Sequence, residues 1–289
     1  MPPRLVVAAV VVGWLATVSW LASERWWSPD RPGQPPGLVV DLSDEVAPQQ
    51  GSWLLFREGE RVGSAETRLA PRKDGLFELT TRLRELDLEA GTLPVKATLI
   101  HTTRVVTRAG ELVSLESRSE VLIRTGGPDP KVNATLKGQF VGDEFRRTLE
   151  VDAVAGRVAE PLEPVRFGTK RVFSPLLPLY KYPPLRAGQS WRETSLDLVG
   201  DAISDAVRRA EPRVAADRLP DRPAPVEVLA RVRDRREELV TPRGQRRSCW
   251  VIDHSDDGPA AKTWVDEADG KVMRHEATVL GQVFTLVRD

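Results

Sequence analysis

A period-two alternation, kept up over long runs and broken by glycine turns, constrains this chain more than any other feature. Val132, Ala134, Leu136, Gly138 and Phe140 share one face of such a run, and Asn133, Thr135, Lys137 and Gln139 share the other. Val226, Val228, Ala230 and Val232 likewise oppose Glu227, Leu229, Arg231 and Arg233. Side chains along a strand point to alternate sides, so this pattern predicts antiparallel sheet covered on one face and wet on the other. Turn signals fall between the runs at Glu58-Gly-Glu60, Lys73-Asp-Gly75, Ala109-Gly110, Gly142-Asp143, Arg243-Gly244 and Ala268-Asp-Gly270. Glycines there supply the backbone conformations that hairpins need. The runs Phe77 to Leu88 and Ala97 to Arg108 are long for strands, and long one-sided strands curl because sheets twist. The expected fold is mainly β: a long antiparallel meander forming a curved sheet or incomplete barrel.

Two stretches leave the pattern. Ser174 to Trp191 (SPLLPLYKYPPLRAGQSW) holds prolines at 175, 178, 183 and 184 and cannot serve a central ladder. It reads as an ordered connector over the surface or across the barrel mouth. Asp201 to Leu219 has helical spacing, with Ile203, Val207, Ala210 and Val214 on one stripe and Pro212 set to kink or end the helix.

The N-terminus sets the address. Leu5 to Ala22 (LVVAAVVVGWLATVSWLA) is an uncharged run just long enough to cross a bilayer as a helix, and Arg4 on its near flank favours export of the C-terminal remainder. Cleavage as a signal peptide needs small residues before the cut, and Trp20 and Leu21 occupy the wrong positions. Residues 1–22 are therefore expected to be a transmembrane signal-anchor, with a cleaved signal as the alternative. Residues 23–50, including Ser28-Pro-Asp-Arg-Pro-Gly-Gln-Pro-Pro-Gly37, read as a Pro-rich tether. Residues 51–289 read as a single exported β-rich domain with an irregular connector at 156–225. Both readings place the domain in the periplasm or extracytoplasmic space of a cell with an inner membrane. A single cysteine, Cys249, excludes an intrachain disulfide and suits a domain large enough to fold without one.

Composition and motifs argue against several chemistries. The 42 basic and 42 acidic residues balance to zero, so no nucleic-acid partner is implied. There is no GxxxxGK[ST], strand-linked GxGxxG, HExxH or GxSxG pattern, and no cofactor or metal is expected. Cys249-Trp-Val-Ile-Asp-His254 offers Cys, Asp and His, but on a strand Cys249, Val251 and Asp253 point away from Trp250, Ile252 and His254. The Asp-rich Asp253-His-Ser-Asp-Asp-Gly258 lacks the full ligand alternation of a calcium loop. No catalytic residue is assigned.

Two motifs carry a resemblance. Trp53-Leu-Leu-Phe-Arg-Glu-Gly-Glu-Arg-Val-Gly63 has the form W-x-x-x-x-x-G-x-x-x-G. Thr263-Trp-Val-Asp-Glu-Ala-Asp-Gly-Lys-Val-Met-Arg-His-Glu276 contains W-V-D-x-x-x-G-K-V-x-R-x-E. Together they resemble uncharacterised β-rich bacterial envelope proteins and the β module that precedes transglutaminase-like domains. The layout is distantly similar to periplasmic lipoprotein-carrier folds. The resemblance implies fold and compartment. The Cys–His–Asp domain that a transglutaminase-like activity requires is not among these residues, so that activity is not expected.

The functional expectation is a membrane-anchored, non-enzymatic envelope protein that binds a partner protein or an apolar, lipid-like ligand through its curved sheet. Val113, Leu115, Ser117, Ser119, Val121 and Ile123 share one face, where small hydroxyls among aliphatics leave room for a ligand. The competing reading of that face is packed core. A scaffold subunit of an inner-membrane transport complex, and a hydrolase or transferase with a scattered site using His101, His254 or His275, are the alternatives.

Overall fold

Hairpin chemistry builds the sheet. In the computed structural model all six turn signals lie in turns, and Gly59, Gly75, Gly110, Gly142, Gly244 and Gly270 all have positive φ. A seventh turn, Leu280-Gly281, has φ of 50° and 78° and is not among those signals. The structure describes residues 42, 45 and 47–289 apart from 91–92, 125–128, 154–155, 178, 180, 211–225 and 256–260; before residue 42 only Trp14 and Thr17 are described, both helical. The chain divides into a unit of residues 1–37 and a unit of residues 38–289. The expected membrane-spanning helix and most of the tether fall outside the described residues. Among the described residues no helix is long and apolar enough to cross a membrane.

The second unit is mainly β. Its first arm comprises β1 (Gln49–Arg57), β2 (Glu60–Pro71), β3 (Phe77–Ala90), β4 (Leu93–Val106), β5 (Leu112–Ile123), β6 (Lys131–Val141), β7 (Glu144–Ala153) and β8 (Gly156–Arg166). The second comprises β9 (Val172–Phe173), β10 (Ser190–Ser195), β11 (Val226–Val232), β12 (Glu237–Val240), β13 (Arg246–Ser255), β14 (Ala261–Asp266), β15 (Val272–Val279) and β16 (Gln282–Arg288). All belong to one 16-stranded sheet that runs from β8 back to β1, crosses to β16, and continues down to β9, with β12 paired to β13 off that path. Only β9 and β10 pair in parallel. The path ends at β8 and β9, so the sheet is curved and unclosed.

The curl has a local cause. Along β3 the buried positions run Phe77, Leu79, Thr81, Leu83 and then Leu86, Leu88, Ala90, so the inward parity flips at Glu85, whose φ is 54°. On β4 it flips opposite, between Ala97 and Ile100, and β1 with β2 shifts register at Leu55/Phe56. Bulges increase local twist, and bulges on neighbouring strands crease a sheet. Gly63 lies against this crease, where a Cβ would stand 3.0 Å from the Arg84 carbonyl.

The stretch 156–225, read as irregular connector, holds three strands and a helix. Pro161 and Pro164 of β8 are tolerated because β8 is the last strand of its arm and pairs with β7 alone. The helix α1 (Leu198–Ala210) begins three residues before the expected start, where the Asp197 carboxylate accepts the Gly200 N–H at 2.9 Å as an N-cap. Its Leu198, Val199, Ile203 and Val207 are fully buried against β3, β5, β6 and β7, each stabilising the fold by about 1.5–3 kcal/mol. The expected stripe positions beyond Ala210 lie outside the described residues.

Candidate functional site: a cavity beside a buried polar relay

The Pro-rich connector is buried in part, with Leu176, Leu177 and Tyr182 in the main core beside residues of both arms. Pro175 and Leu177 lie outside any strand, and their buried carbonyls need donors. Side chains supply them. Arg104 on β4 donates from Nη2 to the Leu177 carbonyl at 3.1 Å, and His275 on β15 donates from Nε2 to the Pro175 carbonyl at 2.7 Å. Backbone bonds also tie this part of the chain to both arms: Leu112 N donates to the Lys170 carbonyl and Tyr182 N to the Gly270 carbonyl, both at 2.8 Å. At Gly270 a Cβ would stand close against the Tyr182 carbonyl. The connector thus ties the two arms together, with Ser174 to Leu177 and Tyr182 in the core and Lys181, Pro184, Arg186 and Ala187 at the surface.

From His275 a chain of hydrogen bonds runs across the second arm. Thr263 Oγ1 lies 2.8 Å from His275 Nδ1 and 3.0 Å from His254 Nε2. His254 Nδ1 lies 2.8 Å from Glu193 Oε1, and Glu193 Oε2 accepts from Trp191 Nε1 at 3.3 Å. Every member is buried. Ala230 on β11 stands opposite both Trp191 and His254, and its small side chain lets the Glu193 carboxylate reach across that strand. Phe173 covers the relay, stacked on His254 with centroids 4.4 Å apart and edge-on to His275 at 5.7 Å.

The proton positions are set from the fixed end. A carbonyl only accepts, so His275 Nε2 carries a hydrogen. Burial, together with the nearby His254, pushes the His275 pKa down to about 3, so the ring is neutral and its Nδ1 accepts. Thr263 O–H therefore donates to His275, and its oxygen accepts from His254 Nε2–H. On its other side the His254 ring meets Glu193 through Nδ1. The relay is satisfied throughout and ends on a backbone carbonyl.

Against the relay lies a cavity of about 260 Å³. Leu69, Leu79, Val106, Leu112, Leu179 and Trp191 form its apolar wall, and Arg104, Tyr182 and Glu193 are among its polar groups. Arg104 is 3% exposed, and its Nε is buried with no hydrogen-bond partner. Burial draws the Arg104 pKa down to about 10 and holds that of Tyr182 well above the ordinary phenol value, with Glu193 adding to the latter. At neutral pH the guanidinium is charged and the phenol protonated.

Of the face expected to meet a ligand, Leu115, Ser117, Ser119, Val121 and Ile123 point inward and are buried, while the register shift at Val105/Val106 leaves Val113 as the extra residue of a bulge. Ser117 bonds Thr102 at 2.9 Å, Ser119 lies 3.5 Å from the Ala134 carbonyl, and α1 packs on β5. None of the six lines the cavity, which takes Leu112 from the start of that strand. Cys249 and His254 point to opposite sides of β13: Cys249 packs with Val251 and Trp264, and burial pushes its thiol up to about 12. His101 is half-buried and lines a different, polar groove with Arg82 and Glu66. Burial, then Arg82 and Arg118, lower its pKa. Asp253 is held by Arg233 at 2.7 and 2.9 Å, while Asp256 and Asp257 lie outside the described residues. Among the described residues no three His, Cys, Asp or Glu side chains cluster to hold a metal.

No family model matches the chain, and no curated protein does. Among solved structures it is similar to the crystal structure of a β-barrel-like protein of domain of unknown function DUF1849 from Brucella abortus. The TM-score is 0.41 at 9% identity, over 84% of this chain and 96% of that one.

Proposed function

We propose that this protein is a membrane-anchored, exported binding protein whose unclosed sheet holds a small apolar ligand in the cavity beside the relay. One observation carries the reading: a largely apolar-walled, partly open cavity of about 260 Å³, bounded by β2, β3, β4 and the connector. Ligand sites are concave, mostly apolar, and carry a few converging polar groups, which is the make-up of this wall. The volume sits just below the ~300–1,000 Å³ usual for drug-sized ligands, which favours a single acyl chain over a two-chain lipid. Leu5 to Ala22 supports the anchor, and the balanced charge supports a ligand other than nucleic acid. The resemblance to periplasmic lipoprotein-carrier folds is in keeping with this use. The likeness to modules preceding transglutaminase-like domains adds no substrate.

The test is native mass spectrometry of the full chain released from lipid nanodiscs, together with uptake of a fluorescent fatty acid. Binding that is lost in Leu179→Trp, which fills the cavity from the connector, is the expected result. An absence of any bound or acquired acyl ligand counts against the reading.

A further inference from the structure

The cavity holds a cation without a counter-ion. Arg104 enters the interior from β4, on the same inward row as Ile100, Thr102 and Val106. One of its nitrogens is used by the Leu177 carbonyl, and its Nε has no partner. No carboxylate of the described residues lies within ion-pair distance of it. An isolated buried guanidinium is costly, and proteins keep one where something pairs with it.

The candidates for that role within the protein are already engaged. Glu193, on the same wall, has one oxygen on His254 at 2.8 Å and the other on Trp191 at 3.3 Å. Glu45, also on the lining, is paired with Lys181 at 3.3 Å. Tyr182 is held in its neutral form by burial. The lining therefore carries Arg104 as an uncompensated positive charge facing an apolar space.

We propose that Arg104 is the anchor for an anionic head group, and that the ligand is a single-chain amphiphile with a carboxylate or phosphate head. This rests on the cavity reading above and specifies its chemistry. The chain of the ligand lies along Leu69, Leu79, Leu112 and Leu179, and its head lies against the Arg104 guanidinium, with the Tyr182 hydroxyl on the same wall as a second donor. A charge-assisted bond formed out of water is worth more than one at the surface, so the head, not the chain, sets selectivity.

Trp191 lines the same space and serves as the reporter. The full chain in phosphatidylcholine nanodiscs is titrated with 12-bromododecanoate, 12-bromododecyl phosphate and 12-bromododecanol, whose bromine quenches indole fluorescence on contact. The signal used is the part that disappears in Trp191→Phe. At least one of the two anions is expected to bind about tenfold or more tighter than the alcohol, and Arg104→Met is expected to abolish that preference. The tighter of the two anions identifies the head. Equal affinity for the alcohol and both anions overturns the proposal while leaving the cavity reading intact, and so does a preference that survives Arg104→Met. Quenching by none of the three overturns the cavity reading itself, and the proposal with it. The comparison of ligands on the unmodified protein stands even if Arg104→Met does not fold.

Discussion

Acidification tests the relay, because one of its rings must stay neutral for the hydrogen bonds to run as they do. His275 titrates at about 3 in the folded protein, against an ordinary value of 6.5, chiefly because burial disfavours the charged ring. A histidine with a lowered folded pKa contributes stability that is fully present above the unfolded pKa. That stability is lost as the pH falls from 6.5 towards 3, since the unfolded chain then binds a proton that the folded one refuses. The loss from this group alone is about 2 kcal/mol by pH 5 and on the order of 5 kcal/mol by pH 3. Against a total of ~5–15 kcal/mol for a domain, that is enough to move the unfolding midpoint substantially. Asp197 acts with the opposite sign. Burial raises its carboxyl to about 6, so folding is favoured as the pH falls through 6. Asp197 is only half-buried by surface area, so water screens it and its opposing contribution is the smaller. The comparison is therefore made in Asp197→Asn, which keeps the N-cap and removes that titration. Urea unfolding followed by tryptophan fluorescence, at pH 7 and pH 5, is measured with and without His275→Gln. The Gln variant keeps a donor towards Pro175 and does not titrate. It is expected to be less stable at pH 7 but to lose about 2 kcal/mol less between the two pH values. An unchanged pH slope in His275→Gln would refute the assignment of a neutral, proton-refusing ring at this position.

Other outcomes rest on the same structure. Thr263→Val keeps the shape but strands a buried donor on His254 and a buried acceptor on His275, at about 1–3 kcal/mol each, measured by urea unfolding at pH 7. Thr81→Val is the counter-case: the Thr81 hydroxyl is buried with no partner, so its removal is expected to leave stability unchanged or raise it. Gly138→Ala places a methyl on the Phe145 ring, which packs at a tilt against Phe140 and Phe167 with centroids 5.0 and 5.3 Å away. The resulting shift is expected to cost about 1–3 kcal/mol and to change the near-ultraviolet circular dichroism. Cys249, buried and with its thiol pushed up to about 12, is expected to resist iodoacetamide at pH 8 until the protein is unfolded, when it reacts at the rate of a free thiol.

The hairpins are legible because each turn writes its own residues: Glu58-Gly59 and Asp269-Gly270 carry the glycine where φ is positive. Leu280-Gly281 is harder to read because a leucine at φ 50° is not a turn signal. The meander and its curvature are legible, but the crease is not, since the parity flip at Glu85 reads as a mere interruption in a polar pair, Arg84-Glu85. The burial of part of the connector has a physical reason. Its prolines announce missing donors, and a surface path is the simplest way to satisfy the carbonyls left over; here Arg104 and His275 satisfy them inside. Arg104 itself leaves a trace, a charged residue on the inward row of Ile100, Thr102 and Val106.

What the sequence determined by itself is what short range dictates: alternation makes faces, glycine- and aspartate-rich turns make hairpins, and a run of hairpins makes a curling antiparallel sheet. The tertiary structure alone decided the site. Glu193 and His254 are 61 residues apart, and His275 and Pro175 are 100 apart. No local pattern links them, because the partners of a buried polar group are chosen by which strands become neighbours once the sheet has curled around its connector. The same closure left Arg104 beside an apolar space with its Nε unpaired.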